Sequence, residues 1–260
     1  IRLDMFPAGR LLAGLVLLLA AAFCTAEVRA APITLTDIAG RTVTLDKPAT
    51  RLLIDDGRYL IALSLIMDDP VSVLAAWPRD LNRIGPETYR DFVERFPALE
   101  RVAKAASSAG EFSVEQALAA APDLAVFSLQ SKPSDAELAQ LEAAGVRYVL
   151  IDFFVKPLRN LVPSLRMLAV ATGHVDKAER FIAFRQQRLD LVAGRLEGDT
   201  SERPLVFLEP HAGRTEECCA SPGRGNVGDY ITLAGGDNLG ARTIPGAIGT
   251  LSLEYVIEAD

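Results

Sequence analysis

Histidine is scarce in this 260-residue chain: only His174 and His211 occur. Zinc and manganese sites generally take three or four ligands from His and carboxylates, so no bare metal site is expected. No CxxC, GxSxG or HExxH is present, which removes the common redox, serine-hydrolase and zinc-protease signatures. Lys and Arg form no blocks and the net charge is −7, so the electrostatic footprint of a nucleic-acid binder is missing. No apolar run reaches the 18 or so residues of a membrane-spanning helix.

The longest such run, LLAGLVLLLAAAF, follows Arg10 and leads into the small-residue stretch CTAEVRAAP. That order is a secretory signal peptide over residues 1–30, cut after Val28 and Ala30 in a small-x-small site. A lipid anchor at Cys24 is the weaker reading, because bulky Phe23 suits lipoprotein processing poorly. The expected product is therefore a free exported protein. Hydrophobic residues make up 50% of the chain, enough for one large or two modest α/β cores.

After the leader, ITLTDIAGRTVTL alternates apolar and polar residues around Gly40 and predicts a β-hairpin. Strand-to-helix units then repeat: RLLIDD before RYLIALSLIM, VSVLAAW before TYRDFVERF, LAVFSL before SDAELAQLEAAG, and VRYVLID. Such alternation predicts an α/β fold with a mostly parallel sheet. Two helical segments follow without a strand between them, LRNLVPSLRMLAVATG and VDKAERFIAFRQQRLDLVAGRLEG, before strand-like sequence resumes at RPLVFLEP. The organisation read from this is a lobe at 31–156, a helical connector at 157–198 and the start of a second lobe at 199–260. His174, after Gly173 between the two helices, reads as a surface cap.

Gly223, Gly225 and Gly228 spell GxGxxG, but the preceding strand is expected about a dozen residues earlier, which argues against a dinucleotide site. Once Cys24 leaves with the leader, Cys218 and Cys219 remain, adjacent, in a compartment that favours disulfides. They read as two thiols or one vicinal disulfide stiffening a loop. With His211, Glu216 and Glu217 nearby, the alternative is a thiol redox protein using Cys218 and Cys219.

The hairpin DIAGRTVTLDKPATRLL, the segment SSAGEFSVEQALAAAPDLAVFS, the helix KAERFIAFRQQRL and AGGDNLGA leading to LSLEYVIEAD, in this order, resemble periplasmic binding proteins of the iron-siderophore, haem and cobalamin ABC importers. The resemblance spans roughly residues 33–260. It implies two Rossmann-like lobes with mostly parallel sheets joined by a stiff connecting helix, and a non-enzymatic monomeric carrier in the periplasm. FSVEQALAAAPD and LSLEYVIEAD are then matching phrases of two related lobes. In the family a Glu near the start of one helix in each lobe meets Arg residues of the inner-membrane permease; the matching positions are Glu115 and Glu254. Helix capping by Ser113 and Ser252 and the helix dipole favour those acids regardless. Family members continue beyond such a Glu helix, so about half of the second lobe is expected to lie outside this sequence.

Ligands of parallel α/β sheets sit at the carboxyl ends of the strands. That rule nominates Arg58 and Tyr59, Trp77 and Arg79, Ser128 to Ser131 and, after LVFLE, Glu209, His211, Arg214, Cys218 and Cys219. Arg with Tyr and Trp suits a large anionic chelate, by charge pairing and stacking. The expected cargo is a ferric siderophore. Haem is the alternative, with Tyr59 where an axial ligand would sit, as is cobalamin; no resident cofactor is expected.

Overall fold

The computed structural model describes residues 31–105, 112–210, 212–213 and 218–259. The stretch read as a signal peptide, residues 1–30 with Cys24, and His211 and Arg214 lie outside them. No helix of the described residues is long and apolar enough to cross a membrane.

Strands β1 (Ile33–Thr36) and β2 (Thr42–Leu45) form the expected antiparallel hairpin, with Gly40 at φ 81° in the turn. Asp37 explains why the turn holds. Its Oδ1 accepts the Ala39 and Arg41 amides, both at 2.9 Å, while Oδ2 accepts Leu150 N at 3.1 Å. Arg41 in turn lies over the Tyr148 ring, 3.7 Å from its centroid.

Five parallel strands form the central sheet in the order β5-β4-β3-β6-β7. These are β3 (Leu52–Ile54), β4 (Leu74–Trp77), β5 (Ala103–Lys104), β6 (Leu124–Ser128) and β7 (Arg147–Ile151). Helices α1 (Tyr59–Ser64), α2 (Leu81–Ile84), α3 (Pro86–Arg95), α4 (Val114–Ala119) and α5 (Asp135–Ala143) come between them. All three residues of β3 are buried, as a strand covered on both faces requires. The APD of the repeated phrase has a structural task here: Asp123 accepts the Thr50 and Arg51 amides at 2.8 and 3.0 Å, fixing the entry to β3.

The two consecutive helices are α6 (Pro157–Thr172) and α7 (Val175–Leu196), separated by Gly173 in the left-handed region at φ 77°. In α7 only Ala178 is buried. Beyond it the strands are short: β8 (Leu205–Val206), β9 (Ala220–Pro222), β10 (Asp237–Asn238) and β11 (Ile248–Thr250), with helices α8 (Asn226–Leu233), α9 (Leu239–Thr243) and α10 (Leu253–Glu258). They pair as a parallel β8/β10 ribbon and an antiparallel β9/β11 ribbon. Among the described residues, the parallel arrangement expected for the second lobe is thus seen in β8/β10 alone. Strands of two or three residues reach one neighbour each and build no wider sheet.

The GxGxxG motif is placed differently from the sequence reading, since β9 runs directly into Gly223 and α8 opens at Asn226. Its glycines nonetheless serve the chain itself. A Cβ on Gly225, which sits at φ 111°, would lie 2.2 Å from the Val155 carbonyl oxygen, and Asn226 N donates to that oxygen at 3.0 Å. The start of α8 is thus occupied by backbone rather than open to a phosphate.

Candidate ligand-binding site

A cavity of about 410 Å³ opens at the carboxyl ends of β3, β6 and β7, and every residue lining it falls between positions 56 and 165. Three aromatic rings, Tyr59, Phe153 and Phe154, form part of its wall, and Ile61, Leu65, Leu161 and Leu165 extend it with aliphatic surface. Polar groups enter from Asp56 and Arg58 after β3 and from Ser128, Gln130 and Ser131 after β6.

The charge in this cavity is a matched pair. Arg58 Nε lies 2.9 and 3.1 Å from the two Asp56 carboxyl oxygens, and its Nη2 bonds Oδ2. Hydrogen bonding to Asp56 holds the guanidinium pKa above its ordinary value. The Arg58 side chain is 48% exposed whereas that of Asp56 is 7% exposed, so the cation is the partner a ligand can reach. Its Cζ also stands 5.8 Å from the Phe154 ring centroid.

Phe153 and Phe154 are positioned by Asp152, the buried residue that follows β7. Its carboxylate accepts the Phe154, Val155 and Lys156 amides at 2.8, 2.6 and 2.9 Å and the Asn160 side-chain amide at 2.7 Å. Burial raises this carboxyl's pKa, but the four donors outweigh it and hold it below the usual carboxylate range. With the Gly225 contact on Val155, the 152–156 loop is pinned from two sides. Phe153 meets Tyr59 edge-on, with centroids 5.7 Å apart. Sequence reasoning missed both Phe residues because the strand-end rule was not carried on to VRYVLID; applied to β7 it would have found them.

Tyr59 lines the cavity but is only 6% exposed. Burial, then the neighbouring Asp55 charge, pushes its hydroxyl far above the ordinary phenol range, against the opposing influence of Ser128. A phenolate for metal ligation is therefore disfavoured at this position.

Trp77 and Arg79 require correction. Trp77 is 1% exposed and stacks on Tyr89 at 6.4 Å, because α3 covers the end of β4 and makes the ring part of the core. Arg79, at φ 56°, donates from Nε and Nη2 to the Val102 carbonyl at 3.2 and 2.7 Å and lines no part of the cavity. Cys218 and Cys219 are joined in a vicinal disulfide and also lie outside the cavity lining. Cys219 is fully buried with Leu239, Ile244 and Leu251, so its apolar packing, not a ligand, accounts for its place. Glu209 does not line the cavity either.

Glu115 and Glu254 are both exposed in the first turns of α4 and α10. Ser113 caps one helix by accepting Gln116 N at 3.3 Å, and Ser252 caps the other by accepting Tyr255 N at 3.1 Å. Among the described residues neither acid makes an ion pair, and no His, Cys, Asp or Glu cluster could hold a metal ion.

No curated protein sequence matches the chain. Among solved structures it is similar to the TroA-like periplasmic binding protein FepB of Veillonella parvula, with 25% identity and a TM-score of 0.74, over 88% of this chain and 67% of that one. MolA of Haemophilus influenzae, a periplasmic binding protein solved with molybdate, shares 18% identity at a TM-score of 0.68, covering 86% and 71%. The vitamin B12 binding protein BtuF of Vibrio cholerae shares 17% at 0.59, covering 81% and 73%. The sequence profile described as periplasmic binding protein matches residues 66–260, and this chain is a member of that family.

Proposed function

We propose that this chain is the solute-binding component of an ABC importer and captures a ferric siderophore at the cavity beyond β3, β6 and β7. The observation that carries the reading is the pairing of a reachable guanidinium, Arg58, with three aromatic rings in one cavity. Guanidinium groups pair with the oxygens of an anionic chelate while rings stack on its flat ligands. The exported leader at residues 1–30 and delivery to an inner-membrane permease through Glu115 and Glu254 belong to the same proposal. Growth of cells lacking the gene on single iron sources tests it: loss of growth on one ferric siderophore, restored by the gene, supports the reading. Unchanged growth on every iron source contradicts it.

A second reading has its own observation. Asp56 neutralises Arg58, so the cavity carries no net formal charge from this pair, and a bulky neutral corrin such as cobalamin also fits such a wall. Haem ligated by Tyr59 is less suited, because the Tyr59 hydroxyl is buried against Ser128 and Asp55. Cobalamin-dependent growth of the same deletion strain separates the two.

A further inference from the structure

Asp55 directly follows the central strand, β3, beneath the cavity and has no role in the site as described. It is 3% exposed. Its Oδ2 accepts Ser128 N at 2.9 Å and Ser131 Oγ at 3.5 Å, which are the first and last residues of the 128–131 loop at the cavity wall. Its Oδ1 is buried with no hydrogen-bond partner. An unpaired oxygen of a buried carboxylate is costly, whereas a protonated acid places a neutral hydroxyl there.

The charged and titratable groups around it are few. Asp56 follows it on the chain and repels its charge; Arg58 is committed to Asp56; Tyr59 brings a neutral phenol from α1. On the loop after β4, Asp80 accepts Gly57 N at 3.0 Å. No cation pairs with Asp55 among the described residues, and the 128–131 loop supplies only neutral donors.

We propose that Asp55 is a positioning residue for ligand capture, fixing the 128–131 loop from below, and that protonation of its buried carboxyl tunes the cavity's affinity for an anionic ligand. Burial, followed by the Asp56 charge, raises its pKa to about 7, against the opposing hydrogen bond from Ser128. When Asp55 loses its proton, a negative charge appears under a cavity whose other charges cancel. An anionic ligand then binds more weakly, whereas a neutral one is little affected.

This inference rests on the carrier reading for its affinity arm and on the fold alone for its loop arm. The loop arm follows the Ser128 amide by NMR from pH 5.5 to 8.5 in the wild type and in Asp55→Asn. The expected result is a titration with its midpoint near 7 that disappears in the variant. The affinity arm titrates both proteins with a ferric tricatecholate and with cyanocobalamin at pH 6 and pH 8. The anionic probe should bind the wild type up to about tenfold more weakly at pH 8, as linkage to one proton allows. Asp55→Asn should remove that difference, and cyanocobalamin should show none. A Ser128 amide that does not titrate in the wild type overturns the proposal, even where the variant fails to fold. An Asp55→Asn protein that keeps the full pH dependence overturns it as well. A wild type that titrates at Ser128 but binds neither probe supports the loop role and contradicts the carrier reading.

Discussion

Residues 33–172 and residues 199–259 are written in the same vocabulary of short apolar strands, Ser-capped helices and glycine turns, yet they assemble differently. The first region joins five parallel strands into one sheet with apolar clusters on its faces. Among the described residues, the second gathers a cluster of four buried apolar side chains, Cys219, Leu239, Ile244 and Leu251, around two ribbons. The difference lies in the number and length of strands that find neighbours. A strand flanked on both sides, such as β3, buries every side chain, whereas a two-stranded ribbon leaves an edge along each strand. The lining of the candidate ligand site belongs wholly to the well-knit region, and the second region touches the loop that carries Phe153 and Phe154 where Gly225 and Asn226 approach the Val155 carbonyl.

The largest effect should come where the two regions are expected to act together. Charge reversal at both Glu115 and Glu254 should abolish uptake in cells and leave ligand affinity unchanged, since both acids are exposed and lie outside the cavity. Loss of affinity instead would sink the docking role. Uptake of a radiolabelled chelate beside calorimetry on the purified variants makes the distinction.

Cavity-forming substitutions sharpen the contrast in packing. Leu124→Ala, at a fully buried position of the large core, should cost about 4 kcal/mol, and Leu251→Ala in the small cluster about 2 kcal/mol. Urea denaturation reads both, and equal costs would show that the second region is as tightly packed as the first.

A further effect, within the first region, depends on pH. Asp55 has a folded pKa of about 7 against an ordinary value of 3.8, so between those values the folded state holds a proton that the unfolded state has lost. Its contribution to stability is therefore fully present below about 4, declines as pH rises towards 7 and is flat above. The slope is at most about 1.4 kcal/mol per pH unit. The difference between wild type and Asp55→Asn in denaturation midpoints from pH 4 to 8 isolates it from groups such as Asp152, whose lowered pKa acts in the opposite sense. A difference that does not change with pH contradicts the assignment.

Periodicity made the five-stranded region legible, because βα units repeat with apolar strands and recognisable caps such as Ser134, whose capping box with Glu137 is present. It failed in the second region, where RPLVFLEP yields only a two-residue strand and the strand before Gly223 is too short to announce itself. Within the site, the strand-end rule found Arg58, Tyr59 and the 128–131 loop. It misplaced Trp77 because a sequence does not say which strand end is roofed by a helix, here α3 through Tyr89. Asp55 was invisible for a related reason: two adjacent Asp look alike in sequence, and only packing distinguishes the one paired with Arg58 from the one buried without a cation.

The central claim is that capture occurs at the Arg58, Phe153 and Phe154 cavity, and calorimetric titration of a ferric tricatecholate into wild type, Arg58→Glu and Phe154→Ala tests it most directly. The account predicts one-to-one binding by the wild type, weakened at least about tenfold by each substitution through the lost guanidinium or stacked ring. Binding that both variants retain at wild-type strength would place the ligand elsewhere and contradict the account.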